Sequence, residues 1–157
     1  SVAGAISEIV GKKFLSISPQ ILIENGGDIF MNLKNEVKIS IYAGNSPFSM
    51  KIGIKVKGEN SIGIATSSGT VGHSFSYGDA DAVTVISKSS TFADGAATYF
   101  GNMVKGKIDK QLIEKEVEYF PFIEGILIIR KKELFIWGNI ELIKFLKKEQ
   151  HLVGFSL

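Results

Sequence analysis

The chain has 157 residues, 45 % of them apolar and 22 % charged, enough for one domain with a real core and ordinary for a globular protein. Cysteine is absent, which excludes disulfides, thiolate nucleophiles and zinc–thiolate sites and fits a reducing, cytoplasmic setting. A net charge of +2 gives no electrostatic reason to expect nucleic acid, Arg130 as the sole arginine argues against a bidentate arginine clamp on phosphate, and no apolar run approaches the ~20 residues a membrane-crossing helix needs.

Helical periodicity begins at once. Val2, Ile6, Ile9, Val10 and Leu15 fall on or near one apolar stripe, predicting a helix from about Val2 to Phe14. A start of this kind, without an initiator Met, is expected of a fragment, a processed chain or one lacking an N-terminal part. Pro19 in "SISPQ" breaks the helix. "ILIEN", "GGD" and "IFMNL" then read as strand, turn and returning strand. "EVKISIYA" begins with the alternation of a half-buried strand, "NSPF" is a turn, and "MKIGIKVKG" alternates over a full strand length. "SIGIATSSGTVGHSFSYG" holds a short apolar strand, a Ser/Thr/Gly loop and "HSFSY"; "DAVTVIS" is a further strand.

A second helix follows, with Phe92, Ala93, Ala96, Ala97, Phe100, Met103 and Val104 on one broad apolar face and Ser90 as its expected N-cap. Asp109 is placed to cap a third, whose Leu112, Ile113, Val117 and Phe120 share a face until Pro121. "GILIIRKKELFIWGN" reads as a hairpin turning at Lys131–Lys132, with Trp137 in the core. Asn139 is expected to cap a final helix with Ile140, Ile143 and Leu146 inward and Lys144, Lys147 and Lys148 outward; "HLVGFSL" would add a short edge strand. No repeat or linker divides the chain. The expectation is a single α+β domain over residues 1–157, with helices packed on a mostly antiparallel sheet.

Three places could carry chemistry. Asp94 and Thr98 stand four apart on the second helix, so both oxygens emerge on one side, with Gly95, Ala96 and Ala97 leaving the surface bare. Two hard oxygens there suit Mg²⁺ shared with substrate phosphates, and Gly95 gives a ligand clearance. The plainer account has Asp94 complementing the helix dipole and Thr98 bonding back to its own helix. In "ENGGDI", Asn25, Gly26, Gly27 and Asp28 offer either an anion nest of bare N–H groups or a simple hairpin turn. In "ATSSGTVGHSFSYG", Thr66, Ser67, Ser68, Gly69 and Gly72 could receive a phosphate or polar ring through neutral donors. His73 follows directly, yet no residue stands out as the acid that would orient it for a serine nucleophile. The plainer account of this stretch is a solvated loop.

These segments gain weight from their order. "ENGGDI", "GIATSSGTVGHSFSYGDADAVTVIS" and "ADGAAT" follow one another as in ApbE-like proteins, the flavin transferases once called thiamine biosynthesis lipoproteins. The chain resembles that family from Ser1 to about Val104, and is most similar to a branch carrying a T-S-S-G-x-x-G-H-S loop followed by A-D-A. The resemblance implies a T-fold-like ApbE architecture from which an N-terminal portion is missing. It implies that Asn25, Gly26, Gly27 and Asp28, with Thr66, Ser67, Ser68, Gly69 and Gly72, lie beside a flavin nucleotide, FAD or FMN. Asp94 and Thr98 take the places of the family's magnesium ligands, and His73 that of the histidine after its loop. Two family features are replaced. The pattern His-Ile-x-x-Pro becomes His73-Ser74-Phe75-Ser76-Tyr77, and the lysine-glycine-tyrosine segment of the first helix gives way to "SVAGAISEIVG".

The expected partner is therefore a small nucleotide-like ligand. Three roles compete: a Mg²⁺-dependent transferase or hydrolase acting on a flavin or other phosphate-bearing nucleotide, a non-catalytic module holding a flavin- or pterin-like ring, and a structural subunit, for instance a homodimer joined through an open sheet edge.

Overall fold

The computed structural model of the chain describes residues 2–57, 60–70 and 78–145. In chain order these form α1 (Val2–Phe14), β1 (Ile21–Asn25), β2 (Asp28–Asn32), β3 (Val37–Ser40), β4 (Ile52–Val56), β5 (Ile62–Ser67), β6 (Ala82–Ser87), α2 (Ser90–Met103), α3 (Lys110–Val117), β7 (Ile123–Arg130), β8 (Glu133–Gly138) and β9 (Glu141–Lys144). Six strands pair in the order β1-β2-β5-β6-β7-β8 and three in the order β3-β4-β9; every pairing is antiparallel. The α+β expectation is met.

The large sheet is covered on both sides. Because side chains alternate along a strand, β6 sends Val83 and Val85 toward α2 and α3, into a core that holds Ala93, Ala97, Phe100, Ile113, Ile126 and Ile128. Its Ala82 and Ile86 point the other way and meet Ile64, Leu127, Ile129 and the small sheet's Ile52, Ile54 and Val56. β7 is buried on both faces, which explains its unbroken apolar run. The β7–β8 turn is held from outside. Lys131 has φ 52, its N–H donates to Asp81, and its carbonyl accepts from Ser46 Oγ.

Four expectations are corrected. The Asn139–Lys148 stretch does not begin a helix: Glu141–Lys144 is β9, paired with β4 from Ile52↔Lys144 to Lys55↔Glu141. Gly138 turns the chain at φ 75, Asn139 donates its N–H to Glu124, and Phe145 closes against Gly53. Filling β4's open edge overrides the local helical period. Leu146, Lys147, Lys148 and "HLVGFSL" lie outside the described residues, as does "HSFSY".

Second, α1 is present over the expected residues but with its apolar stripe outward. Val2, Ile6 and Ile9 are 75 %, 48 % and 68 % exposed, while Gly4, Ser7, Glu8 and Gly11 are buried. The glycines decide this. A Cβ at Gly4 would stand 2.3 Å from Ser90 O, and one at Gly11 2.0 Å from the Phe30 ring, so this side alone allows so close an approach. Third, Ser89 and not Ser90 caps α2, accepting from Phe92 N at 3.2 Å. Fourth, Leu112 is largely exposed; Ile113 and Val117 carry the buried side of α3, and Asp109 caps it as expected.

Candidate functional site

The site grows from the seam between α1 and α2. Glu8, one turn beyond Gly4, lies buried against the start of α2, where its Oε2 accepts from Ser89 Oγ at 2.6 Å, Thr91 N at 3.0 Å and Thr91 Oγ1 at 2.9 Å. Lys12 holds the other oxygen. As an acceptor, the Glu8 carboxylate satisfies the Thr91 amide, which the first turn of a helix leaves open. Burial by itself would raise the Glu8 carboxyl, but the donors from Lys12, Ser89 and Thr91 outweigh it and hold the group at about 2. Ser90 Oγ donates to Gly4 O at 2.7 Å and meets Ser7 Oγ at 3.1 Å, completing a polar, small-residue contact.

One turn along α2, Asp94 arrives at the N-terminal turn of α1, and its Oδ2 accepts from Gly4 N at 3.0 Å. Asp28, buried at the first position of β2, comes close to the same carboxylate and lies near the backbone of Thr66 on the neighbouring strand. Register explains the meeting. Ile29 pairs with Ile64, so the start of β2 lies beside the end of β5, and Asp28 shares the helix-facing side with Phe30. Burial pushes the Asp28 carboxyl up and the neighbouring Asp94 carboxyl pushes it further, against smaller opposing effects of the Thr66 backbone and the N-terminal ammonium, so it lies well above the usual carboxylate range. Two segments 66 residues apart in the sequence thus place two acids close together.

The other expected residues divide. Asn25 lies next to Asp28 in the hairpin and donates from Nδ2 to Ala3 O at 3.3 Å, tying the turn to α1. Gly26 and Gly27 have φ 62 and 93, the left-handed pair a two-residue hairpin needs. The Gly27 N–H, which a nest would offer to an anion, donates to Glu24 Oε1 at 2.6 Å. Thr66 reaches the site through its backbone; its hydroxyl lies on the opposite face of the sheet, bonded to Thr84 Oγ1 at 2.9 Å. Ser67 ends β5 on the helix side, and Ser68 Oγ accepts from Thr70 N at 3.2 Å. Gly69 is required by packing, since a Cβ there would lie 1.9 Å from Gly78 O. Gly72 and His73 lie outside the described residues. Thr98 is half-buried one turn beyond Asp94.

Asp28, Asp94 and Thr98 supply hard oxygens, the donor type that magnesium takes. Space adjoins them: a Cβ at Gly95 would meet nothing within 4 Å, so packing does not demand glycine there. No cluster of three His, Cys, Asp or Glu is found among the described residues, so these two acids need hydroxyl, backbone or ligand oxygens to complete a coordination shell. A separate cleft of about 270 Å³, lined by Lys55, Lys57, Ile62, Glu124, Asn139 and Glu141, opens near the opposite end of β5 and includes none of the candidate residues.

Sequence reasoning found Asp28 and Asp94 but did not join them, and it missed Glu8. The signal for Glu8 was the spacing Gly4-x-x-Ser7-Glu8-x-x-Gly11, a stripe of small residues with one acid, which marks a closely packed face.

Among known proteins, the chain is 44 % identical over 151 residues to a UPF0280 protein of Methanocaldococcus jannaschii, a match covering 92 % of this chain and 61 % of that protein. A UPF0280 protein of Methanococcus aeolicus is 41 % identical over 163 residues, covering 100 % of this chain and 65 % of its own length. One from Archaeoglobus fulgidus is 33 % identical over 159 residues, covering 98 % and 65 %. The chain thus spans somewhat under two thirds of the length of these relatives. Among solved structures, the apo form of the flavinyl transferase ApbE of Pseudomonas stutzeri superposes with a TM-score of 0.56 at 17 % identity, over 99 % of this chain and 49 % of that one, a likeness of fold. No helix among the described residues is long and apolar enough to cross a membrane. Residues 1–118 match the family model described as AbpE bacteria, and the chain belongs to that ApbE-like family.

Proposed function

We propose that this chain binds a flavin nucleotide, FAD or FMN, through its phosphates, with Mg²⁺ held by Asp94 and Thr98 where α2 faces the end of β5. The observation that carries this reading is the meeting of Asp94 with Asp28 beside the β5 terminus, where the segments that resemble the family's nucleotide-binding parts converge. A bound magnesium ion would neutralise phosphate charge and polarise a phosphoryl group. The chain's own contributions are distinct. Gly4 N–H and the Glu8 anchor fix the Asp94 carboxylate, Ser67 and Ser68 stand at the strand end as neutral donors, and Gly95 leaves room for the ligand. His73 is the candidate for positioning substrate or accepting a proton.

Flavin fluorescence titrations with and without Mg²⁺ test the reading. The intact protein is expected to bind FAD in a Mg²⁺-dependent manner, and Asp94→Ala to lose that dependence while keeping its circular dichroism spectrum. Equal binding by the two proteins would dispose of the metal assignment.

A second reading keeps the pocket and drops the chemistry. It is favoured by His73-Ser74-Phe75-Ser76-Tyr77 standing where the transferase pattern has His-Ile-x-x-Pro. Chromatography of FAD incubated with protein and Mg²⁺ separates the two: release of AMP marks turnover, whereas bound but intact FAD marks a binding module.

A further inference from the structure

Asp81 stands immediately before β6, at the end of the large sheet where β5 stops, since Ser67 pairs with Val83 and Ala82 with Ile129. The β1–β2, β5–β6 and β7–β8 connections all leave the sheet at this end. Asp81 is 8 % exposed, and each of its oxygens is engaged by a different segment. Oδ1 accepts from Thr70 Oγ1 at 2.9 Å, and Oδ2 accepts from the Lys131 N–H. Its own N–H donates to Ile129 O at 2.8 Å. Thr70 is exposed, where a hydroxyl ordinarily bonds to water, yet this one turns inward to a buried acid. A carboxylate withdrawn from water is costly unless its oxygens are matched, and here both are matched by neutral donors from elsewhere in the chain. Such an arrangement contributes placement more than stability.

We propose that Asp81 is the positioning residue of the phosphate-receiving segment Ser67–Thr70, acting through Thr70 on Ser68. This inference rests on the proposed nucleotide site and deepens it, for it names what holds the neutral donors in place. The Thr70 N–H donates to Ser68 Oγ at 3.2 Å, so the Ser68 hydroxyl follows wherever Asp81 holds Thr70. The other oxygen of Asp81 gives this relay a fixed foot. The Lys131 turn that it grips is held in place by Ser46 Oγ, which donates to Lys131 O at 2.7 Å. Asp81 cannot shift away from Thr70 without also straining its bond to the turn. In this scheme it touches no ligand, and uncharged hydroxyls face the phosphates.

FMN and riboflavin, titrated into the full chain by flavin fluorescence at constant Mg²⁺, are the probes, because they differ by the phosphate alone. The unmutated protein is expected to bind FMN more tightly than riboflavin. Asp81→Ala and Thr70→Val should each weaken FMN about tenfold and leave riboflavin within about twofold. Thr70→Ser, which restores the hydroxyl, should bind FMN as the parent does. An unchanged FMN affinity in Thr70→Val, or an equal loss for both flavins, overturns the positioning role and leaves the nucleotide site standing. An unmutated protein that binds the two flavins alike, or neither, overturns the nucleotide reading and this inference with it. Thr70 lies at the surface, so Thr70→Val decides the matter even if Asp81→Ala does not fold.

Discussion

Helix α2 has two interfaces of opposite character. Toward the sheet it is dry, with Ala93, Ala97 and Phe100 packed on Ala65, Val83 and Val85. Toward α1 it is polar and close, with Ser90 against Gly4 and Ser7, and Glu8 gripping Ser89 and Thr91. The dry side supplies the stabilisation expected of apolar burial. The polar side supplies position, because hydrogen bonds and backbone contact fix the rotation and height of α2 more narrowly than alanine methyls do. Asp94 lies on that polar side, so the candidate site adjoins the interface that contributes geometry.

Substitutions can separate these roles. Phe100→Ala should cost the most, about 3–5 kcal/mol by chemical denaturation, because a fully buried ring leaves a cavity. Glu8→Ala should follow at about 2–3 kcal/mol, since it strips donors at Ser89 and Thr91 of a charged acceptor. Unlike Phe100→Ala, it should also disturb metal affinity. A comparable loss of Mn²⁺ binding in both variants would erase the distinction between the interfaces. Gly4→Ala should cost about 1–3 kcal/mol by forcing α1 away from Ser90, with Asp94 losing its amide donor. Ile9→Ser, on the exposed face of α1, should stay within about 0.5 kcal/mol of the parent.

Acid sharpens the comparison further. Glu8 titrates at about 2 in the fold against an ordinary value of 4.5, so its contribution is complete above the ordinary value. It is lost as pH falls through the folded one. Urea midpoints measured from pH 5 down to pH 2 should fall more steeply for the parent than for Glu8→Gln, whose seam has no carboxylate left to protonate. Parallel profiles would show that Glu8 contributes little to the seam.

Legibility in the sequence follows the same division. Apolar periodicity and turn chemistry revealed α2, the Gly26–Gly27 hairpin and β7–β8, because each is dictated by neighbours along the chain. Helix α1 misled, since its buried face is marked by an absence of side chains at Gly4 and Gly11, and a hydrophobic count reads that face as solvent. β9 misled because the decisive partner, the free edge of β4, is about 90 residues away. At the site, Asp28 and Asp94 were each readable from motif spacing. Their proximity was not, for it depends on the β2–β5 register and on where α1 lets α2 settle.

One further consequence comes from the glycines at the β5–β6 connection. Gly69 presses on the Gly78 carbonyl, and Gly78 in turn on that of Gly101 near the end of α2. Entry and exit of the connection are clasped main chain to main chain, with no side chain between. A side chain at either glycine would prise the two described ends of the connection apart, so the joint between β5, β6 and the end of α2 is keyed to the bareness of its main chain.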